Sequence, residues 1–269
     1  MSTNENKGKK TEVTALQAIS AEDRKDWISL AFVQAGICVC VPAFLLGALL
    51  AEAMPIWPAI ISGSLGYLIV VVGMVATGMI GCDLGLASCT CCQAGFGKSG
   101  ARFIVSTIFA VNMIGWFGIQ NGVCGEAFSN AMLAMTGWDI PVVVSNTIWG
   151  IIMLLTAVYG VHALEKLDKI SIPLLMIIMC YGTFLAFKVY GTGNLNDEGT
   201  VQSMSFMSGV ALSFNFTAVG TITGPDYTRF QKSRKDTVKS VFYGVFPMGV
   251  ITLIMGIVLT KLSGQYGSN

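Results

Sequence analysis

The sequence predicts an all-α, polytopic membrane protein, and three observations support this fold class. The 269 residues are 54% hydrophobic and only 12% charged, with a mean hydropathy of +0.69, whereas soluble domains carry about 25% charged residues. The apolar residues fall in blocks of roughly twenty, the length that crosses the hydrocarbon core as a helix. Finally, Lys and Arg are distributed asymmetrically among the connecting segments.

Seven apolar segments are predicted to span the membrane. They are residues 27–50, 59–80, 103–135, 141–161, 170–190, 201–224 and 240–262. If the N-terminus is cytoplasmic, all of the 16 Lys and Arg residues except Lys188 and Lys261 lie on the inner side. By the positive-inside rule this predicts a cytoplasmic N-terminus and an outer C-terminus. Residues 1–26 are polar and charged, so we expect a cytoplasmic tail and not a signal peptide.

Two of the predicted spans contain Gly and Pro at positions that interrupt a helix. The first contains Gly36 and Pro42, and the sixth contains Gly220 and the pair Gly224-Pro225. Irregular backbone at membrane depth is tolerated only where it is buried in protein or lines a cavity. Two interrupted spans five helices apart are typical of a transporter built from inverted repeats. The alternative interpretation is that Gly and Pro are simply common in transmembrane helices.

The third span carries an aromatic side chain and an amide on one helix face. Trp116 and Gln120 are four residues apart, which places them one turn apart on the same side. An indole offers a stacking plane, and an amide offers two donors and an acceptor. This pair suits a flat, polar heterocycle. Gly36 and Val39 straddle the suspected break in the first span, and their backbone carbonyls are candidate ligands for a sodium ion.

No residue pattern predicts an enzyme or a nucleic-acid-binding protein. The single histidine, His162, lies at a predicted membrane edge, and the net charge is only +1. The segment Cys89–Cys92 is interpreted as reduced thiols in a cytoplasmic loop, with a metal site as the alternative. Glu126 is an intramembrane carboxylate and a candidate proton or cation site. The alternative is a carboxylate that is exposed to water near the outer end of its helix. We therefore expect no cofactor apart from a coupling ion.

Several segments resemble the bacterial cytosine permeases of the nucleobase:cation symporter family. The segments are Leu30–Gly36, Gly115–Gly118, Ser213–Phe216, Gly220–Thr223 and Asp226–Phe230. The resemblance extends from about Trp27 to the C-terminus. It implies a LeuT-type fold with two inverted repeats of five helices and two further helices.

On this resemblance, residues 27–190 form the first five-helix repeat and residues 191–269 begin the second. Seven of an expected twelve helices are then present. We therefore expect an N-terminal fragment or a truncated product, whose remaining helices come from a second polypeptide if the chain transports.

The resemblance also implies a substrate site between the two interrupted helices, the third helix and the absent eighth. Gln120 matches an amide of hydantoin-type members, and Cys40 occupies a position that is aromatic in cytosine carriers. Gly36 and Val39 match the carbonyl positions of the family's sodium site. The residues expected to contact substrate are Trp116, Gln120, Asn215, Phe216 and Cys40.

These features predict a secondary active transporter that imports a nucleobase or related heterocycle, with cytosine as first choice, by symport with sodium or a proton. The alternatives are a carrier of allantoin, hydantoin, a purine or a pyrimidine precursor, and a non-transporting membrane remnant or assembly partner. We expect a multi-pass protein of the bacterial cytoplasmic (inner) membrane, in contact with lipid and not with nucleic acid.

Overall fold

The computed structural model describes residues 16–158, 161–192, 195 and 204–264, and these residues are almost entirely helical. A 3-10 turn precedes the first helix, and a π-helical turn at Ala101–Val105 joins α5 to α6. The α-helices, in chain order, are α1 (Trp27–Cys38), α2 (Val41–Ala53), α3 (Ile56–Leu84), α4 (Ser88–Cys91), α5 (Gln93–Gly100), α6 (Ser106–Thr136), α7 (Val142–Val158), α8 (Val161–Tyr190), α9 (Phe206–Thr217), α10 (Val219–Thr228) and α11 (Arg234–Ser263).

Each of the seven predicted spans corresponds to one helix or to a pair of consecutive helices. In the described part of the chain, five spans are long and apolar enough to cross a membrane. They contain α3, α6, α8, the α9–α10 pair and α11. The α1–α2 pair makes a sixth, and α7 is a shorter apolar helix. The expected all-α, polytopic architecture is confirmed. Most of the N-terminal tail and the side chain of His162 lie outside the described residues.

The first span is broken between α1 and α2, as predicted from its glycine and proline. The two helices are bent by 52°. Val39 leaves the helical conformation with a ψ of 74°, and Cys40 is extended. Pro42 lies in the first turn of α2, where its missing N–H costs nothing because that donor has no helical partner. The thiol of Cys40 donates to the carbonyl of Ile37 at 3.3 Å.

The break predicted in the sixth span is not present at Gly220 or at Gly224-Pro225, because these residues lie inside α10. Ala218, between α9 and α10, keeps helical backbone angles, and Phe206–Thr228 forms one span. Pro225 cannot donate to the carbonyl of Thr221, one turn earlier. The hydroxyl of Thr77 on α3 donates to that carbonyl at 2.6 Å. The helix therefore continues through the proline because a neighbouring helix satisfies the freed carbonyl.

The core of the bundle lies around α3 and α11. Helix α11 packs against α1, α2 and α3, and α3 packs against α9 and α10. Small residues allow these close crossings: a Cβ at Gly244 would lie 2.6 Å from the Ala31 carbonyl oxygen. Helices α6 and α7 pack on each other at one side, and α8 packs on α1 and α11. This arrangement leaves a space between α6 and the break in the first span.

Candidate functional site

A cavity of about 320 Å³ lies beside the α1–α2 break. Helices α3, α6, α9, α10 and α11 complete its wall, together with residues from both sides of the break. Pockets that bind small molecules start at about this volume and are mostly apolar, with a few oriented polar groups. The cavity is therefore the candidate substrate site.

Two aromatic rings meet at this cavity from different helices. Trp116 comes from α6 and Phe216 from the end of α9, and both line the cavity. Their ring centroids are 5.2 Å apart, and the ring planes form an angle of 87°. Edge-to-face packing of this kind is a preferred arrangement for aromatic pairs. The contact brings together two residues that were both expected to contact substrate and that are 100 positions apart in sequence.

Gln120 and Cys40 bring polar groups to the wall of the same cavity. The Cys40 S–H donates to the Ile37 carbonyl at 3.3 Å, so it has no hydrogen left to donate to a ligand. The side-chain amide of Gln120 carries both donors and an acceptor. It is therefore the cavity group that can pair with the polar edge of a heterocycle.

The structure does not bring Asn215 to the cavity. Its side chain is exposed, although Phe216, the next residue, lines the cavity. Two threonines of the same span, Thr217 and Thr223, also line the cavity. Their hydroxyls donate to carbonyls of their own helical turns, at 3.0 Å in each case. They therefore have no hydroxyl hydrogen left to donate to a ligand.

Tyr67 is a cavity residue that the sequence did not reveal. It is fully buried on α3, and its ring packs on Gly249 of α11. Its hydroxyl has no hydrogen-bond partner within the described part of the chain. A single tyrosine in an apolar span carries no sequence signal, because only the crossing of α3 and α11 places it at the cavity.

The two candidate sodium-binding positions lie at the end of α1. Gly36 is in the last turn of the helix, and Val39 immediately follows it. Carbonyls in the last turn of a helix have no partner within the helix, and hard cations prefer oxygen ligands. The backbone at these two positions therefore fits a sodium ion.

A second cavity of about 270 Å³ adjoins the first on the side of the α1 N-terminus. The two cavities share Met113, Thr223 and Tyr227 in their walls. Asp226 and Arg229 both line the second cavity. The Asp226 carboxylate accepts a hydrogen bond from the backbone N–H of Ser88 at 3.1 Å. The Arg229 guanidinium lies over the Phe230 ring, 4.8 Å from its centroid.

The other candidate groups lie away from these cavities. Glu126 is exposed on α6. The thiols of the Cys89–Cys92 segment are free. Among the residues that the structure describes, no group of three His, Cys, Asp or Glu side chains is arranged to hold a metal ion.

Comparison with known proteins places the chain among permeases. Residues 19–268 match the family model for permeases for cytosine/purines, uracil, thiamine and allantoin. The chain is 27% identical over 237 residues to the cytosine permease of Escherichia coli strain K12, covering 87% of this chain and 54% of that relative. It is 25% identical over 277 residues to the purine-uracil permease NCS1 of Arabidopsis thaliana, covering 90% of this chain and 46% of that relative.

The allantoin permease of Bacillus subtilis strain 168 is 23% identical over 269 residues, covering 91% of this chain and 54% of that relative. The chain thus spans about half the length of the curated relatives it matches.

Solved structures of Mhp1 show the same fold. The inward-facing conformation superposes with a TM-score of 0.79 at 16% identity, covering 97% of this chain and 59% of that one. The closed conformation with bromovinylhydantoin bound superposes with a TM-score of 0.75 at 18% identity, covering 93% of this chain and 56% of that one. Mhp1 is a nucleobase-cation-symport-1 family transporter, so the LeuT-type fold expected from the sequence is confirmed. With its apolar helices, its fold and the match over residues 19–268, this integral membrane protein belongs to the family of permeases for cytosine/purines, uracil, thiamine and allantoin.

Proposed function

We propose that this chain provides the substrate-binding half of a secondary active transporter for a nucleobase or related heterocycle. The observation that carries the proposal is the convergence of four predicted contact residues on one cavity at the α1–α2 break. These residues are Trp116, Gln120, Phe216 and Cys40. Two aromatic rings offer surfaces to a flat ring, and an amide supplies hydrogen-bond donors and an acceptor. Membership of a permease family favours transport over enzymatic chemistry.

Cytosine is the first candidate substrate, and it is the molecule named for the Escherichia coli relative. The side-chain amide of Gln120 in the cavity wall supports a second candidate class. An amide offers both an acceptor and donors, which can pair with the N–H and C=O of a lactam or ureide ring, as found in uracil, hydantoin and allantoin. Cytosine also carries N–H donors, so both candidates fit the site chemically. The measured affinities for cytosine and for the lactam and ureide rings decide which one is the substrate.

Transport by this fold is proposed to use a cation, sodium or a proton. Support comes from the end of α1, where Gly36 and Val39 present backbone carbonyls next to the cavity. When bound, the ion would supply positive charge that links the broken helix to the cavity wall. The arrangement of Lys and Arg supports a cytoplasmic N-terminus, and the proposed location is a bacterial inner membrane.

The remaining helices of such a carrier are proposed to come from a second polypeptide or a longer form of the chain. The exposed faces of α6 and α8 support this, because they present large apolar side chains that lipid or other helices would cover. Examples are Ile108, Val111, Ile114, Ile177 and Tyr181.

The proposal is tested by equilibrium binding of radiolabelled cytosine, uracil, hydantoin, allantoin and adenine to the purified chain in detergent. Binding is measured in sodium chloride and in choline chloride at equal ionic strength. We expect saturable binding of at least one compound, tighter in sodium if sodium is the coupling ion. Uptake into cells that express the chain with a polypeptide carrying the remaining helices then tests transport.

Absence of saturable binding to all five compounds in both salts would contradict the proposal. That result would favour the alternative of a membrane remnant or assembly partner, whose small residues serve helix packing.

A further inference from the structure

The carboxylate of Asp168 on α8 lies against the backbone of Gly36 on α1. A Cβ atom at position 36 would lie 3.0 Å from Oδ1 of Asp168 and 3.1 Å from both Cγ and Oδ2. All three carboxylate atoms therefore face this one position. Contacts of 3.0–3.1 Å are tighter than ordinary van der Waals contact, so glycine gives the carboxylate its room.

The contact between α1 and α8 next to this carboxylate is apolar. Ile172, one turn later on α8, is buried against Ala35 and Val39 of α1. Methionine and aromatic side chains surround this contact: Phe32, Met176, Met179 and Met248. In the ranges of the chain that the structure describes, the Asp168 carboxylate makes no hydrogen bond or ion pair.

Asp168 is also connected to the cavity. Its contact residue Gly36 is followed directly by Ile37 and Cys38, and both of these line the central cavity. Cys40, which immediately follows Val39, lines the same cavity. A positive charge next to Asp168 would therefore lie between the end of α1 and the wall of the substrate site.

Asp168 is half-buried at the start of the apolar segment Leu167–Tyr190 of α8, and withdrawing a carboxylate from water is costly unless a partner neutralises it. Here the groups around it include a helix end with unsatisfied carbonyls. Oxygen atoms from a carboxylate and from carbonyls are the ligands that a hard cation prefers. Among the described residues, no cationic side chain forms an ion pair with Asp168, so a bound ion fits this carboxylate.

We infer that the carboxylate of Asp168 supplies the negative charge that holds a sodium ion at the α1–α2 break, beside the carbonyls of Gly36 and Val39. This inference rests on the proposed cation-coupled function, and it adds a side-chain ligand from α8 to a site otherwise made of backbone. Since the ion would contact residues next to Val39, it would order the break and restrict access to Cys40.

The test measures alkylation of Cys40 in the purified full chain by N-ethylmaleimide, resolved by site with mass spectrometry. Rates are compared in sodium chloride and in choline chloride at equal ionic strength, without heterocycle. We expect sodium to slow the alkylation of Cys40 by about fivefold, a modest coupling between two sites. Cys180, which is exposed on α8, is the internal reference and should react equally in both salts.

Two substitutions assign this effect to the carboxylate. Asp168→Asn removes the charge and should abolish the effect of sodium, whereas Glu126→Gln, at an exposed carboxylate of α6, should preserve it. Gly36→Ala displaces the carboxylate without changing any charge and should also abolish it. An altered alkylation rate of Cys180 would reveal that Asp168→Asn fails to fold. In that case the sodium effect in Gly36→Ala tests the role of the carboxylate.

Equal Cys40 rates in the two salts for the unsubstituted chain would overturn the inference, as would a full sodium effect in a folded Asp168→Asn. Heterocycle binding in choline chloride separates this failure from failure of the proposed function. If only the sodium site is wrong, heterocycle still binds. If only the substrate proposal is wrong, sodium still protects Cys40 but no heterocycle binds.

Discussion

The side chain of Asn146 on α7 lies directly on Gly125 of α6, where a Cβ atom would be 2.7 Å from the Asn146 Cγ. The reverse contact joins Asn121 of α6 to Gly150 of α7, where a Cβ would be 3.1 Å from the amide nitrogen. In each helix the asparagine precedes the glycine by four residues, so one face of each helix carries both. Because α6 is otherwise largely exposed, these contacts hold the helix that carries Trp116.

Replacing Gly125 by leucine should displace α6 from α7. The larger side chain cannot share the space of Asn146, and overpacking of this kind costs about 1–3 kcal/mol. We expect a lower thermal unfolding temperature in detergent and weaker heterocycle binding, since Trp116 and Gln120 move with α6. Gly122→Leu is the matched control, because nothing lies within 4 Å of a Cβ at that position. Equal stability of the two variants would argue against this role of the contact.

Trp116→Ala should weaken heterocycle binding by about tenfold or more, because it removes a stacking surface and the edge-to-face contact with Phe216. The measurement is equilibrium binding to the purified variant, with expression and unfolding temperature recorded beside it. Trp138→Ala is the comparison, since Trp138 is exposed and is not part of the cavity lining. Undiminished affinity in Trp116→Ala would remove the indole from the site.

Thr77→Val should destabilise the junction of α3 and α10. The substitution keeps the side-chain shape but removes the hydroxyl that donates to the Thr221 carbonyl. An unsatisfied buried carbonyl costs about 1–3 kcal/mol, which should appear as a lower unfolding temperature. Thr156→Val serves as the control, because the Thr156 hydroxyl is exposed and donates only within its own helix, to Ile152. A similar small effect at both positions would show that water or backbone adjustment replaces the Thr77 contact.

Cys91 should react slowly with alkylating reagents near neutral pH. Burial raises the pKa of the Cys91 thiol, and the neighbouring Cys92 and Asp226 raise it further because negative charge disfavours a thiolate. The thiolate is the reactive form, so its fraction at pH 8 is smaller than for a free thiol. The alkylation rate should keep rising with pH beyond the point where an ordinary thiol levels off.

The comparison for this rate is the same Cys91 in the denatured chain, followed by mass spectrometry. Equal rates in the folded and denatured chains at pH 8 would contradict the prediction. Copurification of a metal ion with the Cys89–Cys92 segment would instead support the metal interpretation of these thiols.

The sequence by itself determined the helices and the break in the first span. Apolar segments of membrane-spanning length are a local property, because each helix must satisfy its own backbone in lipid. The break was equally local, since Gly36 and Pro42 act on the turns that contain them. The face shared by Trp116 and Gln120 followed from helical spacing alone.

Only the tertiary structure decided how the sixth span continues through Pro225 and which residues meet at the cavity. The hydroxyl of Thr77 reaches the Thr221 carbonyl from another helix, and helix phase leaves Asn215 exposed beside Phe216. The contact of Asp168 with Gly36 joins residues that are far apart in the chain. Sequence spacing describes one helix at a time, whereas these contacts depend on how helices cross, which is set by packing between them.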